Sequence, residues 1–272
     1  MKRSSPVPVV LSIAGSDNSG GAGIQADLKT LTTLGCYGTT AVTCVVAEHP
    51  GKVSRIEPMP EAMVAEQVRL VFEAFPVAAA KTGMLFSEGI MAAVEREWKR
   101  RPRQRRPPLV VDPVMVATSG ALLFRPEAVR ALQERILPLA AVVTPNLDEA
   151  QVLMGRKLLD LADVARAAEV LARKFGVPFL VKGGHLRGRE SVDVLHDGKK
   201  GRLFGTPTIR GVKTHGTGCT YSAAIAAGLA AGLPLERAVG QAKEFITAAI
   251  GGSLRLGRYD CLNHLPSAHG VE

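Results

Sequence analysis

The sequence is poor in the features that announce a disulfide-stapled fold, a metal module or a nucleic-acid reader. Its four cysteines, Cys36, Cys44, Cys219 and Cys261, are scattered without any C-x-x-C spacing. That argues against a clustered zinc site or a disulfide framework and leaves the reducing cytoplasm as the expected compartment. Aromatic residues make up only 4% of the chain, while Ala, Val, Leu and Gly are abundant. Such a composition suits helices layered on a parallel sheet better than an aromatic binding surface. No apolar run is long enough to span a bilayer, so no membrane partner is expected. The glycines at 20, 21 and 23 form neither G-x-G-x-x-G nor a loop closed by G-K-[ST], which excludes the Rossmann and P-loop fingerprints. No internal repeat or shift in composition divides the 272 residues, a length that one large α/β domain accommodates.

Positive charge is not scarce. The formal charge is +9, and much of the excess lies in Lys99, Arg100, Arg101, Arg103, Arg105 and Arg106. A Pro-flanked arginine run with no interleaved aromatics reads as a solvated loop rather than a nucleic-acid surface. Met1-Lys2-Arg3 followed by the apolar Val7 to Ala14 superficially resembles a secretion signal. The apolar part is short and runs into a glycine turn with Asp17 and Asp27 beyond it, so a first buried strand is expected instead.

The chain then alternates apolar strands with helical segments. Strands are expected at Val7 to Gly15, Tyr37 to Ala47, Ala78 to Leu85, Leu109 to Met115, Ala140 to Thr144 and Val177 to Lys182. Helices are expected at Ile24 to Leu34, Met63 to Phe75, Ser87 to Trp98, Val164 to Phe175 and Leu235 to Ile250. Ser191 to Ile209 reads as an antiparallel hairpin, with Asp197-Gly198 as its turn. Beyond Gly251 a loop is expected. Asp112 falls at the carboxyl end of the clearest buried strand, where ligands of parallel sheets bind. Asn146 or Asp148 either caps a helix or lines a site, and Lys182 suits a phosphate.

The central stretch is Gly216-Thr217-Gly218-Cys219, followed by the small apolar run Ala223 to Leu233. It reads as a tight loop opening into a buried helix. The unpaired N–H groups of a helix start, approached closely through glycines, form an anion site. Thr217 or Thr220 could alternatively cap that helix. Cys219 at the helix start is expected to have an easily lost thiol proton.

Taken together, the ordered motifs resemble the ribokinase-like superfamily, and within it the hydroxymethylpyrimidine/phosphomethylpyrimidine kinases of thiamine biosynthesis. They are Ala14-Gly15-Ser16-Asp17, Ser19 to Lys29, Lys81-Thr82-Gly83-Met84-Leu85, Asp112-Pro113-Val114-Met115, Thr144 to Ala150, Val181-Lys182-Gly183-Gly184 and Gly216-Thr217-Gly218-Cys219. The resemblance implies a three-layer αβα ribokinase-like fold with a central, mostly parallel sheet and a core at about 8–265. It implies a homodimer using ATP and Mg2+, and two successive phosphorylations of 4-amino-5-hydroxymethyl-2-methylpyrimidine. By motif match, Cys219 stands where other branches place an aspartate base, and Gly216, Thr217 and Gly218 help form the anion hole. Asp112 and Glu149 are implied at the metal, and Asn146, Lys182, Thr217 and Lys243 on the nucleotide side. Gly15, Asp27, Val46, Glu48 and Met84 are implied on the pyrimidine side. A cysteine is a weaker base than aspartate, so the first transfer should depend on Cys219 more than the second, whose acceptor is already a phosphate.

One departure stands out. Most members of the family it resembles carry Gln-Asn-Thr where this chain has Glu48-His49-Pro50. A carboxylate only accepts hydrogen bonds, so Glu48 favours a protonated ring nitrogen, or else the pocket has drifted toward another acceptor. A pyridoxal or pyridoxine kinase is the nearest alternative. A nucleic-acid-binding protein and a ligand sensor on a kinase fold are the non-enzyme ones.

Overall fold

The computed structural model describes residues 7–115, 126–184, 188–212 and 215–265, and Met1-Lys2-Arg3 lies outside them. Nine strands form one sheet in the order β3-β2-β1-β4-β5-β6-β7-β8-β9. These are β1 (Val9–Asp17), β2 (Tyr37–His49), β3 (Lys52–Pro58), β4 (Val77–Thr82), β5 (Leu109–Val111), β6 (Val142–Val143), β7 (Phe179–Val181), β8 (Glu190–His196) and β9 (Gly201–Pro207). The run β2-β1-β4-β5-β6-β7 is parallel. The pairs β2–β3, β7–β8 and β8–β9 are antiparallel, so both edges of the sheet are antiparallel.

Helices cover both faces, as parallel strands buried on two sides require. The strand period of two shows which residues meet which layer. Leu11, Ile13, Leu109 and Val111 pack toward α2 (Glu61–Ala74), α3 (Glu88–Lys99) and the helical segment that begins as α4 (Pro126–Ala131) and continues in irregular turns to Leu139. Trp98, fully buried there, meets Phe72 edge-on at 5.7 Å. Val10 and Val110 point the other way, toward α7 (Thr217–Ala230) and α8 (Leu235–Gly251), with α1 (Gly23–Thr33) on the same side. A third cluster, with Leu147, Val164, Val181 and Val194, joins α5 (Leu147–Met154) and α6 (Leu161–Phe175) to the sheet.

α7 carries small apolar residues all round and is accordingly buried. A Cβ on Gly228 would sit 2.9 Å from that of Ala238, so α7 and α8 approach as closely as side chains permit.

One strand was not anticipated, and two expectations need correction. The polar stretch after Glu48-His49-Pro50 is the edge strand β3, whose alternation is too polar to read as a strand. Beyond Gly251 the chain is not all loop: β10 (Leu254–Leu256) and β11 (Tyr259–Cys261) form a small hairpin. The strand expected over Leu109 to Met115 stops at Val111, because Pro113 lacks the N–H a ladder needs. Otherwise most expected elements fall within a few residues of their observed ends. The arginine run is only partly solvated: Arg101 stacks on Phe72 at 3.5 Å, and Arg106 donates to the carbonyls of Lys99 and Arg101.

A candidate active site at the carboxyl ends of the strands

The β1–β2 register slips between Ala14 and Ser16. The extra residue lies on β2, and Gly15 stands opposite it, where a Cβ would lie 2.8 Å from Cys44 Sγ. β1 then ends in Asp17, whose Oδ1 accepts from Ser19 N–H at 2.7 Å. Its Oδ2 accepts from Gly21 N–H at 3.1 Å and Ala22 N–H at 2.7 Å. One carboxylate thereby shapes the glycine turn that opens α1. Burial works against its ionisation, but His215 and the surrounding donors outweigh it and hold the carboxyl well below the usual range.

α1 and α7 pack against each other, and neither helix start has a side-chain cap. The N-cap of α7 is Gly216 itself rather than either threonine. Its φ of 82° and the adjacent Gly21 carbonyl leave no room for a Cβ. Thr217 is the first helical residue, and Thr220 is engaged instead with His264 at 3.0 Å. Two uncapped helix starts therefore lie side by side, each presenting unpaired N–H groups. Cys219 lies between them, where the Gly23 N–H favours the thiolate. The expected low thiol pKa is not found: burial pushes it up to about 11, and the nearby Lys81 charge offsets this only in part. The residue retains some exposed area, but desolvation of the sulfur outweighs the helix start.

Beside this junction lies a charged cluster. Lys182 Nζ donates to Asp112 Oδ1 at 3.2 Å, and Ser222 Oγ donates to Asp112 Oδ2 at 3.2 Å. Gly218 rests against both groups, since a Cβ there would be 3.2 Å from Lys182 Nζ and 3.4 Å from Asp112 Oδ2. Asn146 caps α5 in a reciprocal box with Glu149, at 2.9 Å in each direction. The other Glu149 oxygen accepts from Met115 N–H at 3.1 Å. Burial raises the Glu149 carboxyl to about 7; Lys182 opposes the shift and Asp112 adds to it. Burial disfavours the Lys182 charge, yet Asp112 and Glu149 more than compensate and raise its pKa.

This cluster fits a hard divalent cation. Two carboxylates repel each other across a single lysine, and an added cation would relieve that repulsion. Asp112 is the better placed to reach one, because its oxygens are held by the side chains of Lys182 and Ser222, which can turn away, whereas fixed backbone N–H groups hold both Glu149 oxygens.

Asp27, expected on the acceptor side, has both its oxygens engaged by protein partners. It is fully buried, with both oxygens 2.9 Å from Lys81 Nζ and Oδ2 2.5 Å from Ser12 Oγ. Lys243, expected at the nucleotide, is buried and bound to Asp193 at 2.8 Å and Ser191 at 3.1 Å. Asp193 also accepts the Gly183 N–H at 3.0 Å, so Lys243 braces the loop after Lys182 rather than offering a free charge. Gly15, Val46, Glu48 and Met84 do gather at the ends of β1, β2 and β4. Met84 neighbours Gly15, and its carbonyl accepts from Thr43 Oγ1 at 2.6 Å.

Several contributors had no role assigned from sequence: Lys81, Ser222, Asp193 and the partnership of Asp17 with His215. Lys81 carried a signal, since a lysine inside Ala78-Ala79-Ala80-Lys81-Thr82 implies a buried partner. A cavity of about 650 Å³ lies elsewhere, at the amino ends of β5, β6 and β7 among Arg103, Arg106 and Arg135. It shares no residue with this site.

Comparison with known proteins agrees with the geometry. The phosphomethylpyrimidine kinase family matches residues 17–263. A hydroxymethylpyrimidine/phosphomethylpyrimidine kinase of Rhizobium meliloti is 47% identical over 249 residues, 91% of this chain and 92% of the relative. The thiamine biosynthesis bifunctional protein ThiED of Geobacter sulfurreducens is 46% identical over 99% of this chain, which spans only 55% of that protein. Among solved structures, the ADP complex of Bacillus subtilis pyridoxal kinase superposes with a TM-score of 0.86 at 37% identity, covering 96% of this chain and 98% of that one. Staphylococcus aureus pyridoxal kinase with AMP-PCP and pyridoxal gives 0.87 at 33% identity, covering 98% and 97%. The match over residues 17–263 and relatives up to 47% identical over most of the chain show that the chain belongs to the phosphomethylpyrimidine kinase family.

Proposed function

We propose that this protein is an ATP-dependent kinase that phosphorylates the hydroxymethyl oxygen of 4-amino-5-hydroxymethyl-2-methylpyrimidine and then the resulting monophosphate. The observation that carries the reading is the pair of uncapped helix starts, with Cys219 between them and the Asp112–Lys182 pair alongside. Phosphoryl transfer passes through a loose transition state whose charge lies on the phosphoryl oxygens, so catalysis is mostly positioning and electrostatics. The N–H groups from Gly216 to Cys219 stabilise that charge, and Lys182 supplies a fixed cation beside them.

Cys219 is a neutral thiol at rest, given its raised pKa. Its S–H orients the acceptor hydroxyl; after the thiol gives its own proton to solvent, the thiolate, favoured by the Gly23 N–H and the Lys81 charge, accepts the hydroxyl proton as the O–P bond forms. The monophosphate acceptor has little proton to give, so the second transfer relies less on Cys219. Mg2+, when bound, neutralises phosphate oxygens, with Asp112 holding it and Glu149 supporting from behind. Asn146 and Thr217 border the nucleotide side.

A homodimer belongs to the same reading, supported by Val45 and Val53, each 45% exposed on the β2–β3 pair. The four free cysteines fit a cytoplasmic setting. Among the described residues, no helix is long and apolar enough to cross a membrane. Pyridoxal kinase activity is a second reading, favoured by the likeness to the two pyridoxal kinase structures. ADP formation with each acceptor alone tests both: turnover of the pyrimidine and its monophosphate, well above pyridoxal or pyridoxine, is expected. Turnover of a B6 compound alone would reverse the assignment.

A further inference from the structure

Asp17, Glu48 and His215 reach one point from three separate parts of the chain. They stand at the end of β1, at the end of β2 and in the loop before α7. His215 Nε2 lies 3.4 Å from Asp17 Oδ2 and 3.9 Å from Glu48 Oε2. It is shielded from solvent and has no short hydrogen bond. Its contact with Asp17 raises its pKa; burial opposes and Glu48 adds to the shift.

The charges can be counted. Asp17 is committed to the glycine turn, and His215 as the imidazolium neutralises it. Glu48 is then the one carboxylate in excess. Burial and the Asp17 charge raise its pKa, and His215 offsets part of this. Its position is fixed from behind, because its N–H donates to Asn18 Oδ1 at 2.7 Å.

The other described groups nearby do not supply a second counter-charge. Cys44, on the same strand, is a thiol that burial pushes up to about 11. On β3, Val53 stands opposite Glu48, and Lys52 pairs with His49 instead. His49 is engaged with Tyr259 at 2.9 Å, Asp260 with Arg255 at 2.8 Å, and Lys29 with the Gly20 carbonyl at 2.7 Å. No lysine or arginine forms an ion pair with Glu48 among the described residues.

We infer that the acceptor site takes its heterocycle as a cation, with Glu48 receiving two parallel N–H groups, one from the protonated ring nitrogen and one from an adjacent exocyclic amine. His215, held on Asp17, is a positioning residue that keeps Glu48 ionised until the cation arrives. The substrate class is an amidine-like aminopyrimidine rather than a neutral ring. A paired N–H donor set matches a carboxylate in a way that a pyridine ring without a neighbouring amine does not. The proton comes from solvent onto the ring nitrogen, so binding above the ring's own pKa takes up a proton. This inference rests on the kinase reading and selects between the two fates of Glu48 that the sequence leaves open.

The test is calorimetric binding of the hydroxymethylpyrimidine to the full chain at pH 7.5 in buffers of different ionisation heat. Uptake approaching one proton is expected for the wild type and close to none for Glu48→Gln. Wild-type affinity is also expected to rise as pH falls from 8 to 6, with a much flatter profile for the variant. His215→Asn is expected to weaken binding while lowering proton uptake. Should Glu48→Gln fail to fold, 15N-labelled hydroxymethylpyrimidine on the wild type reports ring protonation directly through its chemical shift. Binding without proton uptake and with a neutral ring shift would overturn this inference and leave the kinase reading standing. Failure of the pyrimidine to bind at all, with ATP still bound, would overturn both.

Discussion

Two clusters in this protein contain the same charges and behave differently. On the proposed reading, Asp112, Lys182 and Glu149 serve the phosphates and Asp17, His215 and Glu48 serve the acceptor. Each is two carboxylates around one cation. In the first the cation is a lysine, closed into an ion pair with Asp112 at 3.2 Å and charged throughout the working pH range. In the second it is a histidine, and its contacts of 3.4 and 3.9 Å are long. The first cluster suits a ligand whose charge is constant, the second a ligand whose charge depends on a proton. The choice of cation, more than the count of acids, sets what each end of the site responds to.

The sharpest way to break this comparison is Asp112→Asn. It leaves Lys182 without its partner and removes the carboxylate proposed to hold the metal. A fall in kcat of about 10²- to 10³-fold is expected, the scale seen when one preorganised electrostatic group is lost. A fall below about tenfold, with the fold intact by circular dichroism, would make the cluster a structural brace. Cys219→Ala comes next. The first phosphorylation is expected to drop by about 10²-fold or more, the range of general acid–base catalysis, and the second by clearly less. Equal losses in the two half-reactions would show that Cys219 serves the phosphoryl group rather than the hydroxyl.

The smallest effect is the stability linkage of His215. Its folded pKa is raised, so its contribution is fully present below the ordinary histidine value and lost as pH rises through the folded one. Denaturant unfolding of the wild type between pH 6 and 9 should therefore show a decline that His215→Asn lacks. An identical pH profile in both proteins would mean that the imidazole is not charged in the folded state.

Much of this architecture was legible from periodicity. The parallel strands betray themselves as apolar runs, and the resemblance supplied the layer order. What escaped had physical reasons. β3 is polar on an exposed edge, and β10–β11 is too short to register a pattern. At the site, the motif match brought together Asp112, Lys182, Asn146, Glu149 and the Gly216–Cys219 turn. It could not show that Asp27 and Lys243 are consumed by Lys81 and Asp193, because those partners lie 54 and 50 positions away in the chain. Nor could it weigh desolvation against the helix start, which is why Cys219 was expected as a thiolate and stands as a thiol.

The bulge opposite Gly15 has a consequence for how such a pocket changes over time. On β2, Thr39, Ala41 and Thr43 face inward; past the bulge, the inward set becomes Cys44, Val46 and Glu48, while Val45, Ala47 and His49 face out. The extra residue reverses the parity of the strand. Deleting Thr43 or Cys44 would only restore plain alternation, but deleting one position between Val45 and Ala47 would turn Glu48 outward and His49 inward without altering either side chain. Acceptor preference is therefore written partly in chain length, and a lineage could rewrite it by a single-codon deletion as readily as by point substitution.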